Sequence, residues 1–132
     1  MSVRFAQKTI GLGALGMMVS VILGAVGAHV LAGILTGKWL QVYQIAVEYQ
    51  IYHSLGLILS GLLILYYPSC KALVAVALLM MLGIILFSGS LYLLVIFHYS
   101  WLGIFTPFGG VCWIVAWGML AWILIRYRLH HK

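Results

Sequence analysis

Acid is what this chain has least of: Glu48 is the one Asp or Glu among 132 residues, against seven Lys or Arg. Charged residues make up 6% of the whole, where soluble domains carry about a quarter. Such scarcity excludes an ordinary water-soluble fold, and a mean hydropathy of +1.21 puts the chain in a bilayer. The net charge of +6 does not indicate nucleic acid, because the basic residues are scattered at the ends of apolar runs and form no patch. Cysteine is nearly absent too: Cys70 sits at a turn and Cys112 in the outer half of the last apolar run, on opposite sides of the membrane, which excludes an internal disulfide. No phosphate-binding loop, zinc spacing or catalytic triad pattern is present. No length is left over for a soluble catalytic domain, so the chain reads as non-catalytic.

What is present is four apolar runs, at about residues 9–35, 39–67, 71–97 and 107–125. Each reaches the roughly 20 residues a helix needs to cross hydrocarbon, and the longer ones leave room for tilt. The expected fold is all-α, an integral membrane four-helix bundle forming a single transmembrane domain over residues 1–132, with short turns making successive spans antiparallel. Arg4, Lys8, Lys71, Arg126, Arg128 and Lys132 then share one side and Lys38 stands alone on the other, which puts both termini in the cytoplasm. Trp39, Tyr99 and Trp101 would mark the outer interface, and Tyr66, Tyr67 and Tyr127 the inner one. Pro68 follows the second run; Thr106-Pro107 opens the fourth with a capping hydroxyl and a proline at the first helical position. Arg4 and Lys8 ahead of an apolar stretch ending in Gly27-Ala28 imitate a signal peptide. That stretch is too long for a signal core, so a retained first span is expected.

Two constellations carry chemistry. Gly16, Ser20, Gly24 and Ala28 recur every four residues and lay a stripe of small side chains along the first span, suited to close helix packing within the chain or against a partner. In the second span Gln41, Gln44, Glu48 and Tyr52 share a face, while His53 lies about 140° around the helix from Glu48. Glu48 is expected near His29, in an outward-facing polar cluster of His29, Gln44, Glu48, His53, Ser88, Ser90, Tyr92 and Thr106. A carboxylate near hydrocarbon is costly enough to need such partners. The cluster reads as a buried network fixing helix register, with a proton relay or small polar ligand site as the alternative. Ser88 and Ser90, about 200° apart on a helix, would bond back to their own carbonyls, and Thr106-Pro107-Phe108-Gly109-Gly110 would present a sparsely covered helix N-terminus.

No cofactor or metal is expected. Two histidines on different spans invite haem, but His29 and His53 differ in depth by about 10 Å or more. Met17-Met18, Met80-Met81 and Met119 lie at one level, where thioethers can bind Cu(I), yet methionine more often fills apolar gaps. His130-His131 reads as a solvated basic tail.

Gly24-Ala25-Val26-Gly27-Ala28-His29, then Tyr49-Gln50 with His53-Ser54-Leu55, then Leu86-Phe87-Ser88-Gly89-Ser90-Leu91-Tyr92 and Thr106-Pro107-Phe108-Gly109-Gly110 form an ordered set of motifs. Together they resemble the YgdD-like family of small bacterial membrane proteins, over roughly residues 10–125. The resemblance implies four spans in a bacterial inner (cytoplasmic) membrane, multi-pass, and supplies no reaction. His29, His53, Ser88, Ser90 and Thr106 fall in its motifs; Glu48 is not assigned to them. Lipid is the certain partner, joined by a membrane protein or a second copy. The reading is an accessory or assembly subunit docking through the small-residue stripe; the alternative is a small transporter, proton-coupled permease or ligand sensor using the polar cluster.

Overall fold

The computed structural model describes residues 3–126. Arg128, Lys132, Tyr127 and His130-His131, singled out above, lie outside the described residues. Within them the chain is helical throughout, without a strand, and four helices are long and apolar enough to cross a membrane. Hydrocarbon offers the backbone no hydrogen-bonding partner, so a lone apolar segment must satisfy its own amides as a helix. α1 is Val3–His29, followed by a short 3-10 turn, Leu31–Gly33. α2 is Gly37–Tyr66 and stops just before Pro68. α3 spans Ala72–Phe97 and contains a π-helical segment, Ile84–Gly89. α4, Phe105–Arg126, is led in by a 3-10 segment, Ser100–Ile104.

Two boundaries differ from expectation. The first helix begins six residues before Thr9 and ends at His29, because Arg4 and Lys8 are accommodated in its opening turns instead of preceding it. The fourth begins at Phe105, and the 3-10 segment runs directly into it, so Thr106 caps nothing. α3 closes at His98, whose φ of 55° is left-handed. Histidine is among the residues that tolerate this geometry, and its ring packs on Trp39 with centroids 4.5 Å apart.

Cross-helix contacts run in opposing order along each neighbouring pair. Gly13 meets Ile58 and Gly27 meets Tyr43 between α1 and α2; Ala46 meets Ser88 and Gly56 meets Met80 between α2 and α3; Gly83 meets Trp113 and Gly109 meets Phe87 between α3 and α4. The helices are therefore antiparallel, and Arg4, Lys8, Lys71 and Arg126 gather at one end with Lys38 at the other. α1 packs chiefly on α2, and α4 chiefly on α3. Two apolar layers result. One contains Leu57, Ile64, Leu73, Met80, Trp113 and Leu120, and the other Tyr43, Val47 and Val95. The polar residues of α2 and α3 lie between them.

The small-residue stripe of α1 is filled from inside the chain along its inner and middle turns. A Cβ on Gly13 would sit 2.8 Å from the Ser54 carbonyl oxygen, and one on Gly16 would strike the Ser54 hydroxyl. Ser20 is buried and Gly24 faces Val47. Ala28 is exposed, because the buried line drifts from Gly13 and Ser20 to Gly27, a spacing of seven that a strict four-residue repeat leaves behind. α2 therefore occupies the stripe at Gly16 and Ser20, whereas its outer end stays open, with Gly24 half-buried and Ala28 exposed.

Candidate functional site

The polar belt is built from α2 outward. Tyr43, Ala46, Gln50, His53 and Leu57 follow three- and four-residue steps and, with Ser54, form the buried face of α2. Gln50 ties three helices. Its Nε2 donates to the Gly16 carbonyl of α1 at 3.0 Å, and its Oε1 accepts from Tyr92 Oη of α3 at 2.7 Å. The Gly16 carbonyl also accepts from Ser20 Oγ at 2.8 Å. Tyr43 donates to the Leu23 carbonyl of α1.

The two serines of α3 part company. Ser88 Oγ donates to the Ala46 carbonyl of α2 at 2.7 Å, where a bond back to its own helix was expected. Ser90 Oγ lies 2.7 Å from Thr106 Oγ1 of α4 and 2.9 Å from the Phe87 carbonyl. Ser88 lies in the π-helical segment and Ser90 directly follows it, and each is buried. Ser54 Oγ, fully buried between α1 and α2, has no hydrogen-bond partner among the described residues.

His53 sits apart from this network, against α4. Its Nδ1 lies 2.7 Å from the Tyr49 carbonyl, which can only accept, and its Nε2 lies 3.1 Å from Trp117 Nε1, which can only donate. The partners thus fix a neutral imidazole with its proton on Nδ1. The ring stacks on Trp113 with centroids 3.5 Å apart and planes 5° apart. Trp113 Nε1 donates in turn to the Met80 carbonyl at 3.2 Å. An iron or copper ion at His53 would have to displace Trp117 from Nε2, and no three His, Cys, Asp or Glu side chains converge among the described residues. Of the methionines at one level, Met80 is fully buried in the core and Met18 is exposed. Cys70 and Cys112 are both free.

Glu48 and Gln44 point the other way. Glu48 is exposed and accepts from Tyr52 Oη one turn along α2. Its expected pairing with His29 is corrected: both are exposed, and no ion pair or hydrogen bond joins them among the described residues. The reason is rotational, since the face carrying Gln44, Glu48 and Tyr52 is the one α2 turns away from its buried line. Of the eight residues placed in one cluster, Ser88, Ser90, Tyr92 and Thr106 join the belt, His53 lies beside it, and His29, Gln44 and Glu48 lie outside. Gln50, Trp113 and Trp117 were not anticipated. The three-and-four spacing of Tyr43, Ala46, Gln50 and Ser54 was the signal for Gln50; the two tryptophans gave none.

A family model described as a protein of unknown function (DUF423) matches residues 23–110, from the outer part of α1 to the first turns of α4. The chain belongs to the DUF423 family. It is 41% identical over 116 residues to the UPF0382 membrane protein YwdK of Bacillus subtilis, covering 88% of this chain and 94% of that protein. It is 45% identical over 112 residues to a UPF0382 membrane protein of Staphylococcus haemolyticus, covering 83% of this chain and 88% of the relative. No solved structure matches. The DUF423 match takes in Gln50, His53, both serines of α3 and Thr106, which in this member form the belt and its margin, and also the exposed His29. This DUF423 chain is a membrane protein with four apolar helices, similar to bacterial membrane proteins along most of its length.

Proposed function

We propose that this DUF423 protein is a non-catalytic accessory or assembly subunit of a larger membrane complex. One observation carries the reading: apart from the Ser54 hydroxyl, the polar groups of the belt are used up in pairwise bonds. Gln50 joins Gly16 and Tyr92, Ser88 joins Ala46, Ser90 joins Thr106, and His53 joins Trp117. A transporter or proton relay needs side chains facing a shared hydrated path, whereas these face one another. Such a network fixes helix register and leaves a scaffold whose outer faces are free for a neighbour.

The end bearing Arg4, Lys8, Lys71 and Arg126 would face the cytoplasm of a bacterial inner membrane, by the bias of basic residues toward that side. The test is purification in mild detergent at native expression. A partner held at a constant molar ratio across detergents supports the subunit reading. A solitary chain that conducts protons or solute in liposomes refutes it.

A further inference from the structure

The one acid of the chain stands without a counter-charge among the described residues. α2 is 30 residues, about 45 Å long, and Glu48 lies eleven residues from its Gly37 end, about 16 Å along it. With a hydrocarbon core of roughly 30 Å centred on the helix, the carboxylate falls about 9 Å inside hydrocarbon. An ionised carboxylate at that depth calls for a partner of opposite charge. Among the described residues its partner is the Tyr52 hydroxyl, which bonds one oxygen; no cation reaches it.

The surroundings are shaped for a helix. Glu48 and Gln44 border a groove of about 280 Å³ between Gly24, Gly27 and Ala28 of α1 and Tyr43 and Val47 of α2. Tyr43 packs over Gly27, but Gly24 is half-buried and Ala28 exposed, which leaves that part of the groove open among the described residues. Small residues let a neighbouring backbone approach closely, and a polar side chain at the rim then finds its mate across the contact.

We propose that this groove docks a transmembrane helix of a partner protein that carries a lysine or arginine at the depth of Glu48. The cation pairs with the free carboxylate oxygen, Tyr52 holds the other, and the partner's backbone lies on Gly24 and Ala28. The inference rests on the subunit reading and adds the chemistry of the partner. A second copy of this chain does not supply the match, because among the described residues its Lys and Arg side chains lie at the helix ends: Arg4, Lys8, Lys71 and Arg126 at one, and Lys38 at the other.

The test uses a defined probe in phosphatidylcholine vesicles: a leucine-based transmembrane peptide bearing one lysine at the depth of Glu48, beside versions with leucine or glutamate there. Association with the full chain is read by energy transfer between labels. The lysine peptide should reach half-association at about tenfold lower peptide-to-lipid ratio than the leucine peptide, a difference expected of about 1.4 kcal/mol. The glutamate peptide should not exceed the leucine one. Glu48→Gln, on an exposed face, should abolish the lysine advantage while leaving the melting temperature unchanged; Tyr52→Phe should reduce it only in part. Equal association of the lysine and leucine peptides overturns the proposal, as does an advantage that survives Glu48→Gln. Transfer between copies of the chain that the lysine peptide cannot compete away also overturns it. If the peptides fail to discriminate while a native partner still co-purifies, the groove is wrong and the subunit reading stands. If no partner co-purifies, the subunit reading itself falls.

Discussion

Gly109 and Gly110 are neighbours on α4, yet replacing each by alanine should have opposite effects. A Cβ on Gly109 would lie 2.5 Å from the Phe87 backbone nitrogen, 2.8 Å from Phe87 Cβ and 3.0 Å from the Gly83 carbonyl oxygen. Ordinary contact begins at 3.4 Å, so α3 and α4 would have to part by almost 1 Å. Two of the obstacles are backbone atoms, which no rotamer change can move. Overpacking of this kind costs about 1–3 kcal/mol. The separation also stretches the Ser90–Thr106 contact and the bond from Trp113 to the Met80 carbonyl, each worth about 0.6 kcal/mol in a membrane protein. Gly109→Ala is therefore expected to destabilise by about 2–4 kcal/mol. A Cβ on Gly110 meets nothing within 4 Å, so Gly110→Ala should be neutral or gain up to about 1 kcal/mol from the better helix propensity of alanine. Unfolding by sodium dodecyl sulfate from mild-detergent micelles, followed by tryptophan fluorescence, measures both. Equal effects at the two positions, or a Gly109→Ala change under about 0.5 kcal/mol, would refute the close approach of α3 and α4.

Three further outcomes are expected. Gln50→Leu removes bonds to α1 and α3 and strands the Tyr92 hydroxyl, so it should cost about 1–3 kcal/mol; a cycle with Tyr92→Phe should show coupling of about 0.6–1.7 kcal/mol, and zero coupling would deny the contact. Ser54→Ala deletes a buried hydroxyl that makes no bond, and should be neutral or up to about 1 kcal/mol stabilising; a clear loss of stability would mean that Ser54 has a partner. Nitrogen-15 spectra of histidine-labelled protein should show His53 protonated at Nδ1 and bare at Nε2, and should lose that signature in Trp117→Phe; a proton resident on Nε2 would contradict the bond from Trp117.

Hydropathy alone made the four helices legible, because length and apolarity are what a span requires and both are written in the residues. Facing is written much more faintly. In water an apolar stripe marks the buried side, but lipid is as apolar as a leucine core, and α2 shows apolar side chains all round: Leu57 and Ile64 are buried while Leu55 and Leu62 are exposed. Following the acid selected the face of Gln44, Glu48 and Tyr52, which is the outer one. Following the small and weakly polar residues, Ala46, Gln50, Ser54 and Ser60, would have selected the inner one. The stripe of α1 was readable for the same reason, since glycine and serine are rarely spent on lipid. Trp113 and Trp117 were not readable: five tryptophans occur in the chain, and nothing in their spacing separates one that stacks on His53 from Trp101 or Trp122, which are exposed. The break in α3 left no trace that hydropathy could register.

That break sets a phase. Hydrogen bonding from i to i+5 takes up one more residue per turn than bonding from i to i+4, and one residue of α-helix is worth about 100° of rotation. Everything beyond Gly89 is therefore turned by about 100° from where an unbroken helix would aim it. The two halves of α3 are indexed separately, the inner one by Gly83 against Trp113 and the outer one by Ser90 against Thr106. Shortening the chain by one residue within Ile84–Gly89 would re-aim the whole outer half at once, whereas substitutions there would leave its aim intact. In this helix, the number of residues is as much a part of the design as their identity.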